Sequence, residues 1–187
     1  VTIRYEEMSE GPVEVCRDLC NALMAHQAAK GNFHPEILKH MSFETRLKVD
    51  FEAFNEKFLL VAFDDDRPIG YIFDMAMIFT EAMRNDKPAF ARQFSTDSQW
   101  LFPEWLEPNT KIATLDNLYV SPEYRGQHVG STLIKRGMQW LKQDTDAENL
   151  FVYVSNGNDP APLYESLGFK YSHDVLDGFI EAYVMAN

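Results

Sequence analysis

The sequence predicts an α/β fold, and three observations carry that prediction. Apolar residues recur at strand period and at helix period in alternating segments along the chain. The run Asp64-Asp65-Asp66-Arg67-Pro68 has turn composition and sits between two strand-like runs. A third strand-like run, Ile112 to Val120, leads through a glycine-bearing loop into a helix with one apolar side. With 187 residues, 45% of them apolar, the chain can bury one substantial core, and a single domain over 1–187 is expected.

The elements follow in order. Thr2 to Tyr5 opens as a strand, and Gly11-Pro12 starts a helix in which Cys16, Leu19, Cys20, Leu23 and Met24 fall at helical spacing. Residues 35 to 56 read as one or two helices, with Ile37, Leu38, Met41, Leu47, Phe51 and Phe54 on the apolar side and Ser42 as a cap for the second. Phe58 to Phe63 and Ile69 to Phe79 read as strands joined by the acidic turn. From Thr80 to Thr110 periodicity fails, so this stretch is expected to be an insertion. Its cluster of Trp100, Leu101, Phe102, Trp105 and Leu106 either covers core or forms a substrate lid.

Pattern returns with the strand Ile112 to Val120 and a helix from about Val129 to Gln143, whose Leu133, Ile134, Gly137, Met138 and Leu141 share one side. A buried strand follows at Leu150 to Val154. Asp159-Pro160 has the form of an N-cap and first helical position for a short helix that stops at Gly168. Strands near Lys170 to His173 and Phe179 to Met185 flank a turn at Asp177-Gly178.

Composition narrows the functions. The formal charge of −12 opposes nonspecific nucleic-acid binding, which needs Lys and Arg to neutralise phosphates, so no nucleic-acid partner is expected. No apolar stretch approaches the roughly 18 residues of a membrane span, and residues 1 to 30 lack a signal-peptide pattern, so the expectation is a soluble, cytoplasmic protein without a membrane partner. Cys16 and Cys20 read as small buried hydrophobes. His26, His34, His40, His128 and His173 show no paired ligand spacing, so no metal is expected. One segment opposes the overall charge: Arg125 to Gln143 holds Arg125, Lys135, Arg136 and Lys142 and no acidic residue. That is either an anion site or a solvated basic helix face.

The chemistry concentrates at the junction Leu118-Tyr119-Val120-Ser121-Pro122-Glu123-Tyr124-Arg125-Gly126-Gln127-His128-Val129-Gly130-Ser131-Thr132. A loop bent at glycines and entering a helix aims unpaired backbone N–H groups at one point, and the helix dipole adds positive potential there. This is the form of a diphosphate cradle. Gly126 and Gly130 permit tight bends or close ligand approach, and Ser131 and Thr132 place hydroxyls in the first helical turn.

On these residues the chain resembles the GNAT superfamily, the histone-acetyltransferase-related N-acetyltransferases. That family's pyrophosphate motif is Gln/Arg, two residues, Gly, one residue, Gly/Ala, and this chain reads Arg125-Gly126-Gln127-His128-Val129-Gly130. His128 stands where the first motif glycine is expected, with its side chain turned either to solvent or toward a phosphate. Downstream, Leu163-Tyr164-Glu165-Ser166-Leu167-Gly168-Phe169 is similar to the end of a second family element, in which an asparagine contacts pantetheine and a tyrosine lies near the thioester sulfur. Gly157 occupies the motif asparagine position, while Asn156 and Asn158 lie one residue off register.

The resemblance implies a three-layer α/β/α fold with a mixed, mainly antiparallel sheet, splayed between the fourth and fifth strands. It implies acetyl-CoA as co-substrate and transfer of its acetyl group to a primary amine of a small molecule or peptide. Leu118, Tyr119, Val120, Arg125 to Thr132, Asn158 and Tyr164 would hold the cofactor, and Tyr164 would protonate the departing thiolate. A tyrosine packing its helix on the sheet is the alternative for that residue.

An alkylammonium with a pKa near about 10 cannot attack until it loses a proton, so a base is required. Asp116 is the nearest carboxylate on the strand leading to the loop, and strand alternation predicts that it projects with Leu118 and Val120. Glu181 or a water chain are alternatives. An acidic protein suits a cationic amine acceptor. A homodimer, a non-catalytic acyl-CoA sensor and a cofactor-free interaction domain remain open alternatives.

Overall fold

Two strands of alternating large apolar residues set the frame, because they are buried on both faces. The computed structural model describes residues 2–158 and 160–187. Its strands and helices, in chain order, are β1 (Ile3–Glu7), α1 (Arg17–Lys30), α2 (Pro35–Lys39), α3 (Leu47–Ala53), β2 (Glu56–Asp64), β3 (Arg67–Ile78), α4 (Glu81–Arg84), β4 (Lys111–Val120), α5 (Val129–Gln143), β5 (Asn149–Ser155), α6 (Ala161–Ser166), β6 (Lys170–Val175) and β7 (Ile180–Ala186).

The strands form one seven-stranded sheet in the order β1-β2-β3-β4-β5-β7-β6. Every neighbouring pair is antiparallel except β4 and β5. Phe58, Leu60 and Ala62 of β2 and Ile72 and Ala76 of β3 pack with Leu133, Met138 and Leu141 of α5. Leu59, Val61, Phe63, Tyr71 and Phe73 pack the other way, with Cys16, Leu19, Cys20 and Leu23 beside α1 and Leu47 and Phe51 of α3. The period of two therefore feeds two cores, and the expected three layers follow. Cys16 and Cys20 are free and buried, as their reading as small hydrophobes requires.

Three local expectations need correction. The turn after Gly11-Pro12 is a 3-10 helix over Val13–Cys16, and the α-helix begins only at Arg17. Ser42 does not cap α3. Its N–H donates to Thr45 Oγ1 at 3.0 Å, and the cap position belongs to Arg46, which has no side-chain cap bond. Pro160 is the N-cap of α6 rather than its first helical residue, and the expected cap Asp159 lies outside the described residues.

The 80–110 stretch is held by partly buried polar anchors, which periodicity cannot reveal. Arg84 donates to the carbonyls of Pro103 at 2.9 Å and Leu106 at 2.6 Å. Tyr153 Oη donates to the Leu101 carbonyl at 2.9 Å. Leu106 is buried with Phe79, Ile112 and Phe151, whereas Trp105 is 53% exposed. Part of this stretch covers core as expected, and part walls a cavity described below.

Asp74 is the exception to apolar packing in β3. It is fully buried, and neither carboxyl oxygen has a hydrogen-bond partner among the described residues. Gly137 makes room for it: a Cβ there would lie 3.0 Å from Asp74 Oδ2 and 2.5 Å from Ile72 Cδ1. Burial, and then the neighbouring Asp116 charge, push the Asp74 pKa well above the usual carboxylate range. A pKa raised in the folded state gives stability that is complete below the unfolded value and lost as pH rises through the folded one. The Asp74 contribution to stability should therefore fall from about pH 4 upward, at up to about 1.4 kcal/mol per pH unit. In urea denaturation at a series of pH values, Asp74→Asn should flatten that fall, and an unchanged slope would show that Asp74 ionises freely.

Candidate functional site

The site begins where two strands stop pairing. β4 and β5 run parallel from Ile112 with Asn149 to Leu115 with Val152, and no further. On its other side β4 stays paired with β3 up to Val120 opposite Gly70. Ser121 N–H bonds back to the Ile69 carbonyl at 2.8 Å. By strand alternation from that bond, the backbone groups of Leu118 and Val120 face the open edge toward β5. The expected splay between the fourth and fifth strands is thus present, and it leaves peptide donors and acceptors without a strand partner.

A bulge adds to this. Phe73 pairs with Asn117 and Asp74 with Leu115, so Asp116 is the extra residue. The bulge corrects the expectation that Asp116 projects with Leu118 and Val120. Leu118 and Val120 pack toward the α5 core, while Asn117 Oδ1 accepts from Tyr71 Oη at 2.9 Å on the α1 side. Asn117 Nδ2 donates to Asp116 Oδ2 at 3.0 Å, which keeps the aspartate beside it.

Beyond β4 the chain turns through a 3-10 segment, Pro122–Tyr124, into α5. The β2–β3 hairpin supports this turn, because Tyr124 Oη donates to Asp64 and Arg67 pairs with Glu123 at 2.6 Å. Gly126 has φ +81 and His128 has φ +64, both left-handed. His128 therefore takes the backbone conformation that a glycine would hold most easily, and its exposed side chain lies on the cleft rim. The first helical bond of α5 runs from Thr132 N–H to the His128 carbonyl at 3.1 Å, so the amides of Val129, Gly130 and Ser131 precede it and point out of the helix end.

This loop lines a cleft of about 610 Å³. Of the residues expected to hold a cofactor, the cleft gathers Leu118, Tyr119, Val120, Arg125, Gly126, His128, Val129, Gly130, Ser131, Asn158 and Tyr164. Gln127 and Thr132 do not line it. The Gln127 amide donates to the Glu123 carbonyl at 3.4 Å, and Thr132 Oγ1 donates to the His128 carbonyl at 2.9 Å within its own helix. Sequence reasoning missed the opposite wall, where α1 contributes His26, Gln27 and Lys30. Burial, then the charges of Lys30 and Arg125, lower the His26 pKa. No local pattern marks those residues, since only the fold brings α1 across from the loop.

A second cavity, about 790 Å³, lies on the α1 side of the sheet. Leu23, Gln27, Leu118, Asn158, Pro160 and Tyr164 line both spaces, so the two meet at the open edge of β4. Met83, Phe90, Trp100, Leu101 and Phe102 from the 80–110 stretch form part of its wall. Glu36, Asp50, Asp86 and Asp116 line it too, against Arg46 and His40. Glu181, the alternative base, is not among the lining residues and accepts from Tyr183 Oη at 3.0 Å.

Tyr164 packs its helix and also reaches the two spaces. Its ring meets Phe169 edge-to-face, with centroids 6.3 Å apart. Burial, then the Asp74 charge, push its pKa up to about 12, so it holds its proton at neutral pH. Asn158 Nδ2 donates to the Ser155 hydroxyl at 3.0 Å and the Gln27 carbonyl at 3.3 Å, tying the β5–α6 loop to α1. Asn156 is a clasp: its Oδ1 accepts the N–H groups of Asn32 and Phe33, each at 2.8 Å. Among the described residues, no group of three or more His, Cys, Asp and Glu is placed to hold a metal ion. No helix among them is long and apolar enough to cross a membrane.

A left-handed backbone costs a non-glycine residue roughly 1–2 kcal/mol, partly offset by the entropy that glycine loses on folding. His128→Gly should therefore raise stability by about 0.5–1 kcal/mol, or roughly 1–4 °C in melting temperature. A drop in melting temperature would mean that the imidazole makes a stabilising contact.

Comparison with known proteins agrees with this geometry. The model of the acetyltransferase (GNAT) family matches residues 24–169. An N-alpha-acetyltransferase of Saccharolobus solfataricus is 37% identical over 75 residues, which is 37% of this chain and 44% of that protein. The chain thus spans less than half the length of that relative. PaiA N-acetyltransferase from Thermoplasma acidophilum, solved in complex with coenzyme A, superposes with a TM-score of 0.62 at 18% identity, covering all of both chains. NAA60 of Arabidopsis thaliana, solved with acetyl-CoA, gives 0.52 at 12% identity over 100% of this chain and 98% of that one. The two solved structures establish likeness of fold, and the family match over most of the chain establishes kinship: this protein belongs to the GNAT acetyltransferase family.

Proposed function

We propose that the protein transfers an acetyl group from acetyl-CoA to a primary amine of a small molecule or peptide that carries positive charge. The observation that carries this reading is the meeting of the loop-lined cleft and the acidic cavity at Tyr164, beside the unpaired edge of β4. Both cofactor-bound neighbours hold coenzyme A or acetyl-CoA on this fold.

In this reading the diphosphate sits against the amides of Val129, Gly130 and Ser131, where the helix dipole and Arg125 favour negative charge. His26 and Lys30 face it from α1. The pantetheine arm runs between β4 and β5 past Asn158. The thioester oxygen, which becomes negative on attack, finds a backbone N–H at the free edge of Leu118 to Val120, a donor of a kind worth roughly 3 kcal/mol. The amine approaches from the acidic cavity, whose carboxylates favour a cation. Tyr164 keeps its proton until the thiolate leaves, then supplies it.

Acetyl-CoA at a hundredfold excess over Kd should stabilise the protein by about 2.7 kcal/mol, or roughly 5–11 °C. A pantetheine thioester lacking the diphosphate should give a much smaller shift. Equal shifts would remove the loop from cofactor binding. Tyr164→Phe should lower kcat about 10²–10⁴-fold while leaving acetyl-CoA affinity nearly unchanged. Wild-type turnover in that variant would take the tyrosine out of the mechanism.

A further inference from the structure

The larger cavity holds two carboxyls contributed by different layers of the fold. Asp50 comes from the middle of α3, and Asp116 from the bulge in β4. Both line the cavity, and the Asp50 carboxyl lies within hydrogen-bonding reach of the Asp116 carboxyl. The bulge makes this contact: regular alternation would carry Asp116 to the α5 side, away from α3. Arg46, one turn before Asp50, lines the same cavity, and its Nε is buried without a hydrogen-bond partner among the described residues.

Two carboxyls in contact in a poorly hydrated place titrate as a pair, because the second negative charge is opposed by the first. Burial, then the Asp116 charge, push Asp50 upward, and Arg46 opposes this in part. Glu36, His40 and Asp86 line the same cavity, and the other groups that act on Asp116 are Cys20 of α1, Tyr71 of β3, Tyr153 of β5 and, from the α5 side of the sheet, Asp74. Burial raises Cys20, Tyr71, Tyr153 and Asp74, so they remain uncharged near neutral pH and Arg46 supplies the facing positive charge.

Resting on the acetyltransferase reading, we propose that Asp50 and Asp116 act together as the base that deprotonates the acceptor amine, holding one proton between them until the ammonium docks. A lone solvated carboxylate, with a pKa near about 4, is a weak acceptor for an ammonium proton. A pair whose second ionisation is resisted binds a proton more tightly, and so is the better base.

The protons balance as follows. Docking of the ammonium against the pair releases the shared proton to solvent. The doubly ionised pair takes one proton from nitrogen, which leaves the lone pair free to attack. The C–N bond forms, the thioester oxygen gains and then returns the electron pair, and the C–S bond breaks. Tyr164 protonates the sulfur, and the second proton of the nitrogen restores Tyr164. Products are the amide, the thiol, the pair with one proton as at the start, and one proton in solvent.

The test uses the full chain with acetyl-CoA, a panel of alkyl amines, diamines and peptides with free N-termini, and pH profiles of kcat/KM. Wild type should show a rising limb above the ordinary carboxylate range. Asp50→Asn and Asp116→Asn should each lower kcat about 10²–10⁴-fold, with the double variant little worse than either. Asp50→Asn should also move the limb to lower pH, because the proton is then held by one carboxyl instead of two. Loss of a merely structural contact would lower the melting temperature and leave the limb in place. Carboxyl-carbon NMR titration of the unliganded protein provides a readout independent of turnover: the Asp50 midpoint should move to lower pH when Asp116 becomes asparagine, and stay above the ordinary range because burial remains. Turnover that Asp50→Asn leaves untouched, or an Asp50 signal whose midpoint Asp116→Asn does not lower, overturns the shared base. A wild type that acetylates no amine overturns the acetyltransferase reading and this base with it.

Discussion

The early end of the β4–β5 ladder is the constraint on which the rest depends. A parallel pair normally satisfies one edge of each strand along its length. Here the pairing stops after Leu115 and Val152, while β3 still holds β4 in line to Val120. The sheet therefore opens on one side without losing the strand that forms the opening. Peptide groups left unpaired at such an edge need partners, and in the proposed reading a ligand with its own amides and thioester provides them. The family's coenzyme, an extended chain of amides, suits a slot between two strands better than a round pocket.

Around that opening, burial sets the state of the groups proposed for the acid–base steps. Tyr164 is withdrawn from water and keeps its proton, which is the state a general acid needs. Burial and then the Asp116 charge raise Asp50, and the proposed base draws on that resistance to ionisation. Tyr164 stands where cleft and cavity meet, and the two carboxyls line the cavity alone. Asp74 shows the same physics without an evident chemical use, as a carboxyl sealed under α5 beside Gly137.

Much of this was legible in the residues themselves. The expected range of α5, Val129 to Gln143, matches the observed helix at both ends, because its apolar side is strong and a left-handed residue starts it. The β2–β3 hairpin also follows its composition: Asp65 adopts φ +52 at the turn. The position of Asp116 was misread, since alternation assumes a regular strand and a bulge is a property of the pair, not of one strand. Asp50, His26 and Lys30 carried no signal, as each reaches the site only through helices packed from far along the chain. The 80–110 wall was opaque for a related reason. It is fixed by Arg84, Tyr153 and His173 bonding to loop carbonyls, contacts that leave no period in the sequence.

The most direct test is a crystal structure with a non-reactive acetyl-CoA analogue at saturating concentration. The coenzyme should thread between β4 and β5, with its diphosphate on the first-turn amides of α5 and its sulfur within hydrogen-bonding distance of Tyr164 Oη. An analogue bound elsewhere, or an undisturbed cleft closed by the His128 ring, would contradict the account.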